Sequence, residues 1–279
     1  MKPVRIAVYI LAFTVPSLPA LSRDDAPPSA PAPIRVAIYD DTGIGGNGPA
    51  NLEKCLAKDA VFVCRRVKAE EIRAGVLAGQ DLLLMPGGTA SGEAKSLEEK
   101  GREAIRAFVG KGGGYVGFCA GAYLATCQQS FYLKILDADI KDTEHWKRGT
   151  GRVRIRLTED GGNLLETKEL DREIHYANGP LLARGGNADV PDFKPLARFV
   201  SEMAENGAPS GVMKGTVASA CGAFGKGRVL VFSPHPEKTD GLDGFVRHAA
   251  RWAAGREGNG VKEATPAVAE PVEETGSGK

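Results

Sequence analysis

The sequence predicts an α/β protein with a doubly wound, mostly parallel sheet, helices on both faces and an antiparallel layer at one edge. In the first half of the chain, short apolar runs alternate with amphipathic segments, which is the pattern of parallel strands joined by helices. In the second half, polar and apolar residues alternate within short segments, as is typical of antiparallel strands. Several apolar runs end at glycine, cysteine or histidine, and functional residues gather at the carboxyl ends of strands in such sheets.

The elements expected in the first half follow one another in strand–helix order. The segment Ser96–Val109 has apolar residues at helical spacing with charges between them, and three glycines stop it. The run at 81–85 is continuously apolar, as a strand buried on both faces would be. The predicted strands are 34–40, 61–67, 81–85 and 115–118, and the predicted helices are 51–58, 69–77, 96–109 and 120–127.

The sequence pattern of the second half of the chain predicts an antiparallel layer, followed by a hairpin and a helix. The glycines at 225 and 227 indicate a tight hairpin turn within 223–229. The final helix, expected over 241–254, has an apolar side that includes Phe245 and Trp252. The predicted antiparallel strands are 153–157, 173–179, 196–200 and 215–220.

The composition is that of one globular domain with tails. The chain has 279 residues, of which 42% are hydrophobic and 25% are charged, and its net charge is +1. No basic stripe is present, so we expect no nucleic-acid partner. No CxxC motif is present, which argues against zinc and thioredoxin-like chemistry, and we expect neither a cofactor nor a metal. His145, His175 and His248 are interpreted as surface or packing residues, with a metal role for the first two as the alternative.

The two ends of the chain have compositions unlike the folded unit. Residues 1–22 have a basic start, an apolar core at 6–15 and small residues near the end, which predicts a secretory signal peptide. A retained membrane anchor is disfavoured, because a span needs roughly 17–25 apolar residues. We therefore expect export to the periplasm or the extracellular space, with no membrane span left after cleavage. The predicted organisation is a signal peptide at 1–22, a Pro/Ala-rich linker at 23–33, one domain at 34–254 and a disordered tail at 255–279.

Five cysteines constrain the redox state. In an oxidising compartment an odd number leaves at least one free thiol. If Cys119 is free, the other four allow three pairings, and a bridge between Cys55 and Cys64 is one of the options. The remaining two, Cys127 and Cys221, are expected to be buried or bridged.

A single cysteine stands where an apolar strand should turn sharply into a helix. Cys119 lies within Gly117–Ala125, with small residues on both sides, which is the layout of a nucleophile elbow. Adjacent glycines let the backbone make a strained turn without Cβ clashes. At a helix N-terminus the dipole and the free N–H groups favour a thiolate. We interpret Cys119 as a nucleophile, and a buried structural thiol is the alternative.

A histidine and an acid follow a later apolar run at 228–232. His235 and Glu237 are two residues apart, so in an extended or turn conformation their side chains point to the same side. Pro236 keeps His235 out of a helix. A cysteine elbow with a later histidine and acid is the arrangement of Cys–His–acid catalysis, provided that the two segments meet in space. The alternative is a histidine that only satisfies its own loop.

Four motifs in this order resemble the class I glutamine amidotransferase-like superfamily. Within it, the sequence is most similar to the family of the biotin–protein ligase N-terminal domain, and the resemblance covers nearly all of the expected folded unit. It implies a flavodoxin-like fold. The motifs are Pro86-Gly87-Gly88, Gly117–Tyr123, Tyr176–Pro180, and Gly225–Arg228 with His235–Glu237.

The resemblance implies a set of roles and a reaction. Cys119 would attack a carboxamide or related acyl carbon, His235 would take its proton, and Glu237 would orient His235. The resulting thioester would be resolved by water, so the implied activity is that of a glutaminase-like cysteine hydrolase acting on an amide or γ-glutamyl-type bond of a small molecule or peptide. The oxyanion hole would be formed by the backbone of Gly87, Gly88 and Ala120. Tyr123, Tyr176 and Asn178 would line the substrate cleft, and an edge-strand turn is the equally weighted alternative for Tyr176 and Asn178.

Two other functions remain open at this point. No ligase or synthetase domain is evident, so a non-catalytic module that binds a small molecule or a peptide in the same cleft is the main alternative. A redox protein with a Cys119–Cys127 bridge is disfavoured, because eight helical residues span roughly 12 Å, beyond the limit of about 7 Å between Cα atoms. The DJ-1/PfpI group is disfavoured because Gly117 stands where that group has a glutamate. The sequence leaves the oligomeric state open.

Overall fold

A computed structural model describes residues 32–256. The signal peptide predicted at 1–22 lies outside the described residues, as do most of the linker predicted at 23–33 and of the tail predicted at 255–279. These three assignments therefore stay predictions. Within the described part of the chain, no helix has the length and apolar character needed to cross a membrane.

Eleven strands of the described residues form one mixed sheet. The strands are β1 (Ile34–Tyr39), β2 (Phe62–Val67), β3 (Leu82–Met85), β4 (Gly114–Phe118), β5 (Ala138–Ile140), β6 (Thr150–Leu157), β7 (Asp171–Ala177), β8 (Leu182–Arg184), β9 (Lys194–Phe199), β10 (Val217–Phe224) and β11 (Gly227–Phe232). Their order is β2-β1-β3-β4-β11-β10-β9-β6-β7, with β5 and β8 paired beside β10. The pairs from β2 to β11 are parallel, and the pairs from β11 to β7 are antiparallel.

Helices cover both faces of the parallel part of the sheet. The helices are α1 (Gly48–Leu56), α2 (Ala69–Arg73), α3 (Ala90–Gly110), α4 (Ala120–Ala125), α5 (Glu159–Leu164) and α6 (Asp243–Ala253). Helices α1 and α6 pack together on one face, whereas α2, α3 and α4 pack on the other. The α/β class, with helices on both faces of a parallel portion and antiparallel strands on one side of it, is thereby confirmed. The expectation of a mostly parallel sheet is wrong, because within residues 32–256 four strand pairs are parallel and six are antiparallel.

The central strands are apolar because both of their faces are covered. In β1, Ile34, Val36 and Ile38 belong to the core on the α1–α6 side, while Ala37 and Tyr39 belong to the core on the α3–α4 side. All five are fully buried. Burial of a Val, Leu or Ile side chain contributes about 1.5–3 kcal/mol, so these strands fix the sheet that carries the site.

Two helices differ from the sequence expectation for identifiable reasons. The segment α3 begins at Ala90, earlier than predicted, and the non-helical φ of 56° and ψ of −176° at Glu98 divide it into two helical parts. The first part was not predicted because it begins with the small residues Ala90, Ser91 and Gly92, which show no apolar periodicity.

Helix α5 was not expected, because its short sequence contains two glycines that weaken a helix. The Thr158 hydroxyl caps α5 by accepting from the Gly161 N–H at 3.0 Å. A Cβ at Gly161 would lie 2.0 Å from the Leu196 carbonyl oxygen, so close packing requires glycine there.

The cysteines carry no disulfide. All five lie within residues 32–256, and all five are free thiols. The optional bridge between Cys55 and Cys64 is therefore not formed, and Cys119 is not bridged to Cys127. Burial raises the pKa of Cys55 and of Cys64 to about 11, which keeps both thiols protonated at neutral pH.

We expect Gly227→Ala to destabilise the fold by about 1–3 kcal/mol, the range of overpacking. Gly227 opens β11 after the predicted hairpin turn, and an added Cβ would lie 2.1 Å from the Val109 carbonyl oxygen and 2.4 Å from that of Gly113. Urea unfolding of this variant is compared with that of Gly79→Ala, whose Cβ meets nothing within 4 Å. Equal unfolding midpoints for the two variants would contradict the packing argument.

Candidate active site

Cys119 occupies a strained turn between β4 and α4. Its φ of 49° and ψ of −99° are uncommon for a residue with a side chain. The neighbouring glycines make the turn possible, because a Cβ at Gly117 would lie 2.4 Å from the Gly121 carbonyl oxygen. The Cys119 N–H donates to the Phe232 carbonyl oxygen at 2.8 Å and ties the turn to β11. The elbow therefore depends on local geometry and on the neighbouring parallel strand.

His235 and Glu237 lie just after the end of β11. Nδ1 of His235 donates to Oε1 of Glu237 at 2.6 Å, and both side chains are almost fully buried. The backbone holds this segment in place. The His235 N–H donates to the His175 carbonyl oxygen at 2.8 Å, and the Thr239 hydroxyl donates to the His235 carbonyl oxygen at 2.8 Å. The imidazole is thus fixed in orientation by an acid and by strand β7.

The structure brings Cys119 and His235 to the same end of the sheet. Strands β4 and β11 are parallel neighbours, so their carboxyl ends lie side by side. Both residues adjoin Gly87, where an added methyl group would lie 2.7 Å from Cε1 of His235 and 3.3 Å from Cβ of Cys119. The thiol itself donates to the Ala177 carbonyl oxygen at 3.3 Å. Nε2 of His235 has no hydrogen-bond partner among the described residues.

The surroundings of His235 favour its charged form. Burial opposes the imidazolium, but the Glu237 carboxylate and the Cys119 sulfur outweigh burial and raise the pKa of His235 to about 9. The His175 ring lies 5.6 Å from the His235 ring. Burial, together with the charges of His235 and Lys238, lowers the pKa of His175. The arrangement can therefore hold a proton on His235 while His175 stays neutral.

The residues expected to form the oxyanion hole lie around the candidate nucleophile. Ala120 is in the first turn of α4, where backbone N–H groups have no intrahelical acceptor. Gly87 and Gly88 form the turn after β3, which is held by a hydrogen bond of 2.9 Å from the Gly45 N–H to the Gly87 carbonyl oxygen. A Cβ at Gly88 would lie 1.9 Å from the Gly43 carbonyl oxygen, so this close approach requires glycine.

The three residues expected to line a substrate cleft differ in their surroundings. The Tyr123 hydroxyl donates to the Asn178 carbonyl oxygen at 3.1 Å, next to the Ala177 carbonyl that accepts from the thiol. Asn178 has a φ of 54°, and its Oδ1 accepts from the Gly149 N–H at 2.9 Å. Tyr176 is fully buried in the core, and its hydroxyl donates to the Gly179 carbonyl oxygen at 2.8 Å.

Two buried ionisable side chains at this end of the molecule, Glu93 and Arg148, could not be identified from the sequence motifs. Glu93 in α3 is fully buried, and neither carboxyl oxygen has a hydrogen-bond partner among the described residues. Burial, with a further contribution from Cys119, raises the pKa of Glu93 well above its usual range. The sequence holds one signal for the burial of Glu93: it lies four residues before Leu97, so on a helix both side chains lie on the same, apolar face. Arg148 lies in the irregular segment between β5 and β6, and its sequence context gives no comparable signal.

Metal binding receives no support from the side chains within residues 32–256. They contain no group of three or more His, Cys, Asp or Glu residues able to hold a metal ion. His145 is paired with Asp142 at 3.2 Å, and His175 lies beside His235.

We expect Glu237→Gln to lower the pKa of His235 from about 9 toward or below its ordinary value of 6.5. Burial lowers this pKa, and without the Glu237 carboxylate the main group that raises it is the Cys119 sulfur. NMR titration of the His235 Cε1 proton measures this change, and the exposed acid variant Glu99→Gln is the control. Because the folded-state pKa lies above the unfolded value, His235 stabilises the fold fully below about pH 6.5 and loses this effect as pH rises through about 9. An unchanged His235 titration in Glu237→Gln would contradict the assigned cause.

We expect Gly87→Ala to displace the His235 imidazole, because the added methyl group would lie 2.7 Å from Cε1. The alkylation rate of Cys119 should fall at least about 10-fold, since positioned proton transfer contributes roughly 10²–10⁴-fold. Mass spectrometry of the Cys119 peptide after timed iodoacetamide treatment measures the rate, and Gly79→Ala is the matched glycine control. An alkylation rate equal to that of the control would show that Gly87 does not set the position of the imidazole.

Comparisons with known proteins agree with this fold. The family model described as "Biotin-protein ligase, N terminal" matches residues 35–147. No curated protein sequence matches this chain significantly.

Among solved structures, PurLQS from Thermotoga maritima is 17% identical with a TM-score of 0.56, and the match covers 80% of this chain and 97% of that one. A ThuA-like protein from Parabacteroides merdae is 14% identical with a TM-score of 0.54, covering 84% and 95%. A glutamine amidotransferase from Thermotoga maritima is 13% identical with a TM-score of 0.52, covering 79% and 98%. The family model thus supports the resemblance to the biotin–protein ligase N-terminal family over residues 35–147, and the solved structures show that this chain shares their fold.

Proposed function

We propose that this protein is a cysteine hydrolase that cleaves an amide or γ-glutamyl-type bond through a thioester intermediate. The observation that supports this most directly is the convergence of Cys119 and His235 against Gly87, with Glu237 bound to Nδ1 at 2.6 Å. The glutamine amidotransferase-like fold is consistent with such chemistry. The predicted signal peptide at 1–22 adds export to the proposal.

In the proposed first step, the Cys119 thiol and the neutral form of His235 give a thiolate–imidazolium pair by transfer of the thiol proton to Nε2, a pair that the raised pKa of His235 favours, and the sulfur attacks the amide carbon. Nε2 is the ring nitrogen left without a partner, while Nδ1 is engaged by Glu237. The Glu237 carboxylate stabilises the imidazolium that forms, in keeping with the raised pKa of His235. The thiol must first release the Ala177 carbonyl oxygen, to which it donates in the resting arrangement.

In the following steps, the negative charge on the former carbonyl oxygen is received by backbone N–H groups of Ala120 and of the Gly87–Gly88 turn. The tetrahedral intermediate collapses, the carbon–nitrogen bond breaks, and the amine takes the proton from His235. The acyl group is then a thioester of Cys119. Water attacks this thioester, gives one proton to His235, and releases a carboxylic acid while the sulfur regains a proton.

A non-catalytic binding module on the same fold is the second candidate. The observation in its favour is the closure of the site, because Cys119 is 6% exposed and His235 is 2% exposed. The resting thiol also donates to a carbonyl group rather than to the imidazole. In this case the cleft would hold a small molecule or a peptide, and the thiol would have no chemical role.

The two candidates predict different reactivity of Cys119. For a hydrolase, we expect Cys119 to react with iodoacetamide at pH 7 at least about 10-fold faster than free cysteine, and His235→Ala to reduce the rate by about 10²-fold or more. The half-buried Cys64 of the same protein serves as an internal control whose rate should not change. Hydrolysis of γ-glutamyl and simple amide substrates should be lost in Cys119→Ala. A Cys119 no more reactive than free cysteine, and unaffected by His235→Ala, would favour the binding module.

A further inference from the structure

Arg148 is a buried cation whose hydrogen-bonding capacity is only partly used. Its side chain is 1% exposed, and Nη2 donates to Oδ2 of Asp142. Nη1 has no hydrogen-bond partner among the described residues. A guanidinium does not lose its proton in a protein, and a buried donor without a partner destabilises the fold, the more so when it is charged. The free donor therefore calls for an acceptor that residues 32–256 do not provide.

Short hydrogen bonds connect the position of Arg148 to the candidate nucleophile. The next residue, Gly149, exchanges hydrogen bonds with Asn178, with its N–H donating to Oδ1 at 2.9 Å and its carbonyl accepting from the Asn178 N–H at 3.1 Å. Asn178 follows Ala177, whose carbonyl oxygen accepts from the Cys119 thiol. The backbone that follows Arg148 is thus tied to Asn178, the neighbour of the residue whose carbonyl group contacts the sulfur.

The charge of Arg148 also acts on the tyrosines of this region. Burial raises the pKa of Tyr123 and of Tyr176, and the positive charge of Arg148 works against that rise in both. The guanidinium is therefore close enough to the expected substrate cleft to influence a charge placed there.

The neighbouring acids leave part of the guanidinium available. Asp142 is shared between Arg148 and His145, and their hydrogen bonds and charges lower its pKa despite burial. Glu205 donates its backbone N–H to the Arg148 carbonyl oxygen at 2.8 Å, but within residues 32–256 its carboxylate forms no ion pair with Arg148. A guanidinium presents several N–H groups in a planar fork, so it can hold a second oxyanion beside Asp142.

We propose that Arg148 is a specificity-determining residue that binds a carboxylate of the substrate through Nη1. The substrates would then be amides that carry a free carboxylate near the scissile bond, as amino-acid and γ-glutamyl amides do. This inference rests on the proposed hydrolase function, because it assigns the substrate class of that same site. Since Cys119, His235 and Arg148 are all buried, a ligand reaches them only after a local opening of the structure.

The test compares two alkylating reagents that differ in charge. Iodoacetate and iodoacetamide react alike, because the thiolate sulfur attacks the methylene carbon, a carbon–sulfur bond forms and iodide leaves. We expect the iodoacetate-to-iodoacetamide rate ratio at Cys119 to be at least 10-fold higher than for free cysteine. Arg148→Met should lower this ratio at least 10-fold, mainly through the iodoacetate rate, whereas Arg148→Lys should retain part of it. Arg152→Met removes an exposed arginine of β6 and should leave the ratio unchanged.

The controls separate this inference from the proposed function. The imidazolium of His235 also attracts an anion, so the difference between the wild-type protein and the Arg148 variants is decisive. A wild-type ratio equal to that of free cysteine overturns the role of Arg148, however the variants fold. An equal ratio in wild type and in a folded Arg148→Met protein overturns it as well. If Cys119 is alkylated rapidly and His235→Ala slows the reaction, but the two reagents show no charge preference, only the carboxylate site is contradicted. If Cys119 is alkylated slowly and His235→Ala does not change the rate, the hydrolase function is contradicted.

Discussion

The parallel pairing of β4 with β11 is the constraint on which the candidate site depends. Phe118 and Phe232 are register partners at the ends of these strands, and their rings stack with centroids 5.6 Å apart. The Cys119 N–H then bonds to the Phe232 carbonyl oxygen, so the elbow and the His235 segment leave the sheet side by side. A slip of one residue would turn every side chain of the slipped strand to the opposite face. The apolar cores on both sides of the sheet prevent such a slip, and the position of the imidazole next to the thiol is a consequence of that packing.

Buried polar atoms without partners concentrate at this end of the sheet. In most folded proteins nearly all such atoms are paired, and exceptions gather at functional sites. Among the described residues, seven side chains carry such atoms: five are those of Glu93, Arg148, Ser233, His235 and Glu237, and the other two are those of Arg172 and His248. Ser233 and Glu237 flank His235 on its segment, Glu93 interacts with Cys119, and Arg148 is tied to Asn178. The concentration supports the choice of this region as the site independently of any motif.

Much of the fold could be predicted from the sequence, because the central strands are continuous apolar runs bounded by glycine or proline. The hairpin turn at 225–226 could also be predicted, because glycines at 225 and 227 separate two strand-like runs. Strands β5 and β8 could not, because each is three residues long and is defined by pairing with the other. The motif residues Cys119, His235 and Glu237 could be placed at strand ends from local pattern, although their roles remain proposals. Arg148 could not be found, because its burial and its partner Asp142 arise from tertiary packing of an irregular segment.

The antiparallel part of the sheet reaches back to the candidate site. Strand β7 is last in the strand order, yet its His175 bridges His235, and the His175 N–H bonds to the Thr239 hydroxyl at 3.0 Å. These contacts use the side of β7 that faces away from β6. An outermost strand normally exposes unpaired backbone groups that invite another chain to add to the sheet. Here part of that edge is occupied by the protein's own histidine segment, so a disturbance of the site would also uncover a surface prone to intermolecular strand addition and aggregation.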